Sequence, residues 1–150
     1  MASAERDGVR LISVVLGASD DETRSRESQR LLSHGFRYYD TQTLFKSGEI
    51  IESGVKVWFG KEDFVDLTIK DNATITFPRG AKDNLKAKVS INDTLEAPIS
   101  TGDELGKLEI VLDDETLLSV SLISVDEIQQ GNIITRLLDW LVLFFTNLLS

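Results

Sequence analysis

The chain has no cysteine and a single histidine in 150 residues. The first absence excludes disulfides and thiolate metal sites but does not fix a compartment. The second argues against a histidine-based metal centre. Cations are also scarce. Sixteen Lys and Arg face 25 Asp and Glu, a formal charge of −9. Such an acidic surface repels the phosphates of nucleic acid. No signal peptide is expected within these residues, because the run Leu11–Leu16 follows Glu5 and Asp7 and is too short. What is present is globular composition, 41% hydrophobic and 27% charged. The length suits one ordinary domain with its own core.

Residues 9–17, VRLISVVLG, predict a strand buried on both faces. Asp7-Gly8 predicts a hairpin turn before it. Only Met1–Ala4 precede the Glu5–Gly8 stretch, so the partner strand is expected to be cut short. An apolar strand without its sheet invites disorder or self-association along this edge. A helix is predicted over 19–34, with Ser19 and Glu22 as a capping box and Gly35 at C′.

From about residue 44 the apolar period becomes two. Ala73/Ile75/Phe77, Leu85/Ala87/Val89/Ile91 and Leu118/Val120/Leu122 alternate with polar residues, separated by turns such as Asp113-Asp114. This predicts a mainly β fold, a small antiparallel β-sandwich or barrel-like domain, over 42–126. Residues 1–41 form a strand–helix segment before it, and 127–150 an amphipathic helix after it.

Twelve of the last 18 residues are large and apolar. The polar positions Asn132, Thr135, Arg136, Asp139, Thr146, Asn147 and Ser150 step by three and four, with one break at Val142/Leu143, which draws one narrow polar stripe. Spanning a membrane takes ~20 mostly apolar residues. Here Arg136 and Asp139 interrupt the first half and only 11 residues follow Asp139. Lying in a membrane interface fits better than spanning. The alternative is a core helix packed on the β domain. A broad apolar face beside so small a domain favours the interface. The membrane-binding residues are then Ile133, Ile134, Leu137, Leu138, Trp140, Leu141, Phe144, Phe145, Leu148 and Leu149.

Catalytic spellings do not survive scrutiny. Ser53-Gly54-Val55-Lys56, Ser90-Ile91-Asn92 and Lys46-Ser47-Gly48 match the three motifs of penicillin-reactive serine enzymes by letters. A nucleophilic Ser and its Lys share a helix face, whereas Ser53 to Lys56 lies in a strand-forming stretch. The order of the three is also wrong. His34 reads as a helix C-terminal residue, and Asp20-Asp21-Glu22 and Asp113-Asp114-Glu115 lack calcium-loop spacing. No catalytic residue, metal ligand or cofactor site is assigned.

In order, ASAERDGVRLISVVLGAS, SRESQRLLSHGFRYY, VKVWFG, TITFPRG and the closing amphipathic stretch resemble one family. It is the serine-type D-Ala-D-Ala carboxypeptidases of the penicillin-binding protein five type. The resemblance covers essentially the whole chain. It implies the end of a catalytic domain, then a β-rich second domain and a membrane anchor. It also implies a parent enzyme on the periplasmic face of the bacterial cytoplasmic membrane. That parent trims terminal D-Ala from peptidoglycan stem peptides and binds penicillin covalently. The family's catalytic motifs lie upstream of these residues, so none is carried over and this chain is expected to be inactive. Met1 is expected to be a start inside a parent or a truncated product. The β domain would be a stalk or a docking surface for peptidoglycan or cell-wall proteins. Two other readings stay open: a stand-alone membrane-tethered interaction module, and a soluble β domain whose last helix is core.

Overall fold

Asp7 and Gly8 both adopt positive φ, 51° and 78°. That is the conformation a two-residue hairpin turn demands. They close β1 (Ala2–Arg6) on β2 (Val9–Ser13) in the computed structural model, with every residue of the two strands paired. The structure describes residues 1–133, 136, 137 and 139–142. The chain divides into two compact units, Met1–Gln42 with Thr74–Leu85, and Thr43–Ala73 with Lys86–Ser150.

In the first unit β2 ends at Ser13, short of the 9–17 expected. It is not buried on both faces within this chain, since Ile12, Val14 and Leu16 are exposed. Helix α1 runs Asp21–Tyr38 rather than 19–34. Asp20, not Ser19, is the N-cap, its Oδ1 accepting from Thr23 N at 2.6 Å. Gly35 lies inside the helix, where its missing Cβ leaves space for Leu11. The helix continues past it because its last carbonyls find donors. Tyr39 N donates to Gly35 O. Arg79 donates to Tyr38 O from its backbone at 2.8 Å and to Phe36 O from Nη2 at 3.3 Å. A cation there also suits the helix dipole. Arg6 lies 4.8 Å over the Phe36 ring, a cation–π contact. Strands β3 (Tyr39–Phe45) and β6 (Ala73–Pro78) pair as a two-stranded sheet. As its alternation predicts, β6 buries Ala73, Ile75 and Phe77 and exposes the residues between.

The second unit is built on a six-stranded sheet. It comprises β4 (Ile50–Trp58), β5 (Phe64–Ile69), β7 (Leu85–Ile91), β8 (Leu95–Glu96), β9 (Glu104–Leu112) and β10 (Glu115–Ser124), in the order β7-β9-β10-β5-β4-β8. The molecule is mainly β, as the period-two pattern predicts. The sheet is not wholly antiparallel, because β8 joins β4 in parallel. The chain makes three other strands between them, which frees their relative direction. Asp113 and Asp114, φ 46° and 72°, turn β9 into β10. Val57, Leu67, Leu108, Ile110 and Leu122 are fully buried. At the β7 edge, by contrast, the alternation buries little, and Ala87 and Val89 are exposed.

Candidate functional site at the root of the C-terminal segment

The chain leaves the sheet through an extended stretch held at each step. Ile128 and Ile99 exchange backbone hydrogen bonds of 2.8 and 2.9 Å. Lys61 N then donates to Gln129 O at 2.8 Å, and Gly131 N to Phe59 O at 2.8 Å. The approach is too close for side chains. A Cβ on Gly131 would stand 2.6 Å from Gly60 O, and one on Gly60 would stand 2.9 Å from Ile128 Cγ2. Two glycines therefore permit the crossing.

Phe59 is the pivot. Its φ of 61° is unusual for a bulky residue. Such a conformation persists only where surrounding bonds over-determine it. Here both of its backbone polar groups are engaged. Its carbonyl takes Gly131 N, and its N–H donates to Asp139 Oδ2 at 2.8 Å. A helical turn begins after Gly131, with Arg136 N donating to Asn132 O at 3.0 Å. Asp139 is thus not on a face turned to water, as the polar stripe suggests. It is partly buried against the sheet's end. Nothing in the spacing pairs Asp139 with Phe59, 80 residues earlier. The one signal is a carboxylate placed inside an apolar run.

The large apolar side chains around Asp139 remain exposed. Ile133 is 83% exposed, Leu137 59%, Trp140 54%, Leu141 39% and Val142 53%. Four of the ten expected membrane-binding residues, Ile133, Leu137, Trp140 and Leu141, are therefore accessible. Ile134, Leu138, Phe144, Phe145, Leu148 and Leu149 lie outside the described residues. Among the described residues no helix is long and apolar enough to cross a membrane.

The spelled serine motifs are engaged otherwise. Lys56 Nζ pairs with Asp63 at 2.7 Å and lies over the Trp58 and Phe64 rings at 5.3 and 5.5 Å. Ser47 Oγ donates to Lys70 O at 2.6 Å. Ser90 is exposed on β7. His34 stacks on Tyr38 at 4.5 Å. Among the described residues no group of three or more His, Asp or Glu converges as a metal site.

Residues 39–130 match the family described as penicillin-binding protein 5, C-terminal domain. The chain is 34% identical over 146 residues to the D-alanyl-D-alanine carboxypeptidase DacC of Escherichia coli strain K12, covering 97% of this chain and 36% of the relative. The DacA carboxypeptidase of the same strain matches with the same identity and coverage. The chain thus spans about a third of the length of the curated relatives it matches. Among solved structures, penicillin binding protein 5 from Haemophilus influenzae superposes with a TM-score of 0.79 at 30% identity, covering 85% of this chain and 38% of that one. A β domain of this build, matched over 39–130, places the chain in the family of penicillin-binding protein 5 C-terminal domains.

Proposed function

We propose that this chain is the non-catalytic C-terminal domain of a D-alanyl-D-alanine carboxypeptidase acting in peptidoglycan maturation. It serves as a stalk or docking module, and its C-terminal segment rests on the periplasmic face of the bacterial cytoplasmic membrane. The relatives' carboxypeptidase names support the first part. The observation that carries the second is the polarity of the segment's root. The carboxylate of Asp139 is turned to the sheet's end while Leu137, Trp140, Leu141 and Val142 stay exposed. A helix packed as core would do the reverse. Each large apolar side chain moved from water into the interface contributes up to ~1.5–3 kcal/mol. The net charge of −9 gives no electrostatic help at an anionic surface, so the attraction is hydrophobic.

Vesicle co-sedimentation tests the reading. Leu141→Glu should weaken vesicle binding by ~2.5–3.5 kcal/mol, roughly a hundredfold or more, because an ion must be held at hydrocarbon. Thr135→Lys, on the polar stripe of the sequence, should pellet like the parent. Deleting residues 132–150 should abolish pelleting and leave the sheet folded. If Leu141→Glu pellets like the parent, or the deletion unfolds the sheet, the segment is core and the membrane reading is wrong.

A further inference from the structure

Beside the Phe59–Asp139 hydrogen bond lies a cavity of about 500 Å³. Small-molecule sites span ~300–1,000 Å³. Its wall is apolar, formed by Phe59, Ala97, Ile133, Leu137 and Trp140. Its remaining lining is one anion, one amide and one cation: Glu96, Gln130 and Arg136. Glu96 and Arg136 are both exposed.

We propose that this cavity binds a single zwitterionic phospholipid, with an acyl chain on the apolar wall and the headgroup between Arg136 and Glu96. The guanidinium offers a planar fork of donors that matches phosphate. The carboxylate accepts from the headgroup's ammonium. Opposite charges in the lining of one cavity fit a ligand that carries both. The protein's −9 charge works against an anionic headgroup that brings no cation of its own. The cavity is also continuous with the exposed apolar residues that form the proposed membrane face, since Ile133, Leu137 and Trp140 belong to both. A bound lipid would key the domain to the bilayer at one point and set its orientation there, which a purely hydrophobic contact does not.

This inference deepens the membrane-surface reading and rests on it for the lipid's proximity, but it is measurable without a membrane. The full chain is titrated calorimetrically with dihexanoyl phosphatidylethanolamine below its micellar concentration, and in parallel with the phosphatidylglycerol analogue. Saturable binding of one lipid per chain is expected for the ethanolamine lipid, with the glycerol lipid about tenfold weaker or worse. Arg136→Glu and the cavity-filling Ala97→Phe should each cost about tenfold or more. Arg136 is exposed, so its variant carries the test even if Ala97→Phe does not fold. Glu96→Gln should narrow the preference between the two lipids. Leu141→Glu, outside the cavity lining, should lose vesicle binding and keep the soluble lipid, which separates the two claims. Absence of saturable binding, indifference to Arg136→Glu, or equal affinity for both lipids overturns the proposal. So does a chain that dimerises through the cavity, with Ala97→Phe abolishing the dimer and no lipid bound.

Discussion

In the six-stranded sheet, Val57, Leu67, Leu108, Ile110 and Leu122 are each 0% exposed, whereas in residues 1–38 the only buried residues are two serines, Ser13 and Ser28. The hairpin and helix are regular, yet they leave Ile12, Val14, Leu16 and Leu31 exposed. Ser13 Oγ is even buried without a hydrogen-bond partner, an arrangement that costs ~1–3 kcal/mol. Regular backbone and a packed core are thus separate achievements. Alternating strands stacked side by side supply one another's apolar neighbours. One hairpin and one polar helix satisfy their backbone hydrogen bonds locally but have too little apolar surface to enclose.

The largest test of this contrast is a pair of truncations. Leu108→Ala, in the sheet, should lower stability by ~2–5 kcal/mol, read by urea denaturation. Ile12→Ala, in the hairpin, should stay within ~0.5 kcal/mol. Equal costs would break the comparison.

A pair of glycines sharpens it. A Cβ on Gly106 would stand 2.5 Å from Ser90 O, a backbone atom that cannot step aside. Gly106→Ala should therefore cost ~1–3 kcal/mol. A Cβ on Gly35 would stand 2.6 Å from Leu11 Cδ1, the tip of a flexible side chain. Gly35→Ala also gains ~1 kcal/mol of helix propensity, so near-neutral stability is expected. A large loss there would show that the hairpin is packed tightly after all.

Asp139 tests how far the sheet's order extends into the C-terminal segment. Asp139→Ala strips Phe59 N–H of its partner and should cost ~1 kcal/mol, the low end for a partly exposed group. Asp139→Asn keeps an acceptor oxygen and should recover most of it. Faster amide exchange at Phe59 in the alanine variant alone is the accompanying signature.

The smallest effect lies at the start of α1. The Asp20 carboxyl is held below the usual carboxylate value, chiefly by the Thr23 N–H and next by the Ser19 hydroxyl. Its contribution is present above the unfolded value of ~3.9 and is lost as pH falls through the lower, folded one. The helicity difference between the parent and Asp20→Ala should be small near neutral pH, since the group is exposed. It should vanish in stronger acid. A difference that grows on acidification would contradict the cap.

Local chemistry alone settled a good part of this molecule. Asp7-Gly8 and Asp113-Asp114 specify their turns through a backbone conformation that few residues tolerate. Ala73/Ile75/Phe77 specify one buried face because a strand's side chains alternate. The identical pattern at Ala87 and Val89 leads to exposure, because burial depends on what lies opposite, and β7 is an edge strand. Gly35 spells a helix end, but the helix runs on to Tyr38, where Arg79 supplies donors from 41 residues further along the chain. At the root of the C-terminal segment the apolar composition was plain in the sequence. Which way its one embedded carboxylate turns was decided by a backbone N–H of Phe59, 80 residues away. Period and turn chemistry act between near neighbours and can be read from a string. Edge position, helix termination and the pairing of a distant donor exist only once the chain has closed on itself.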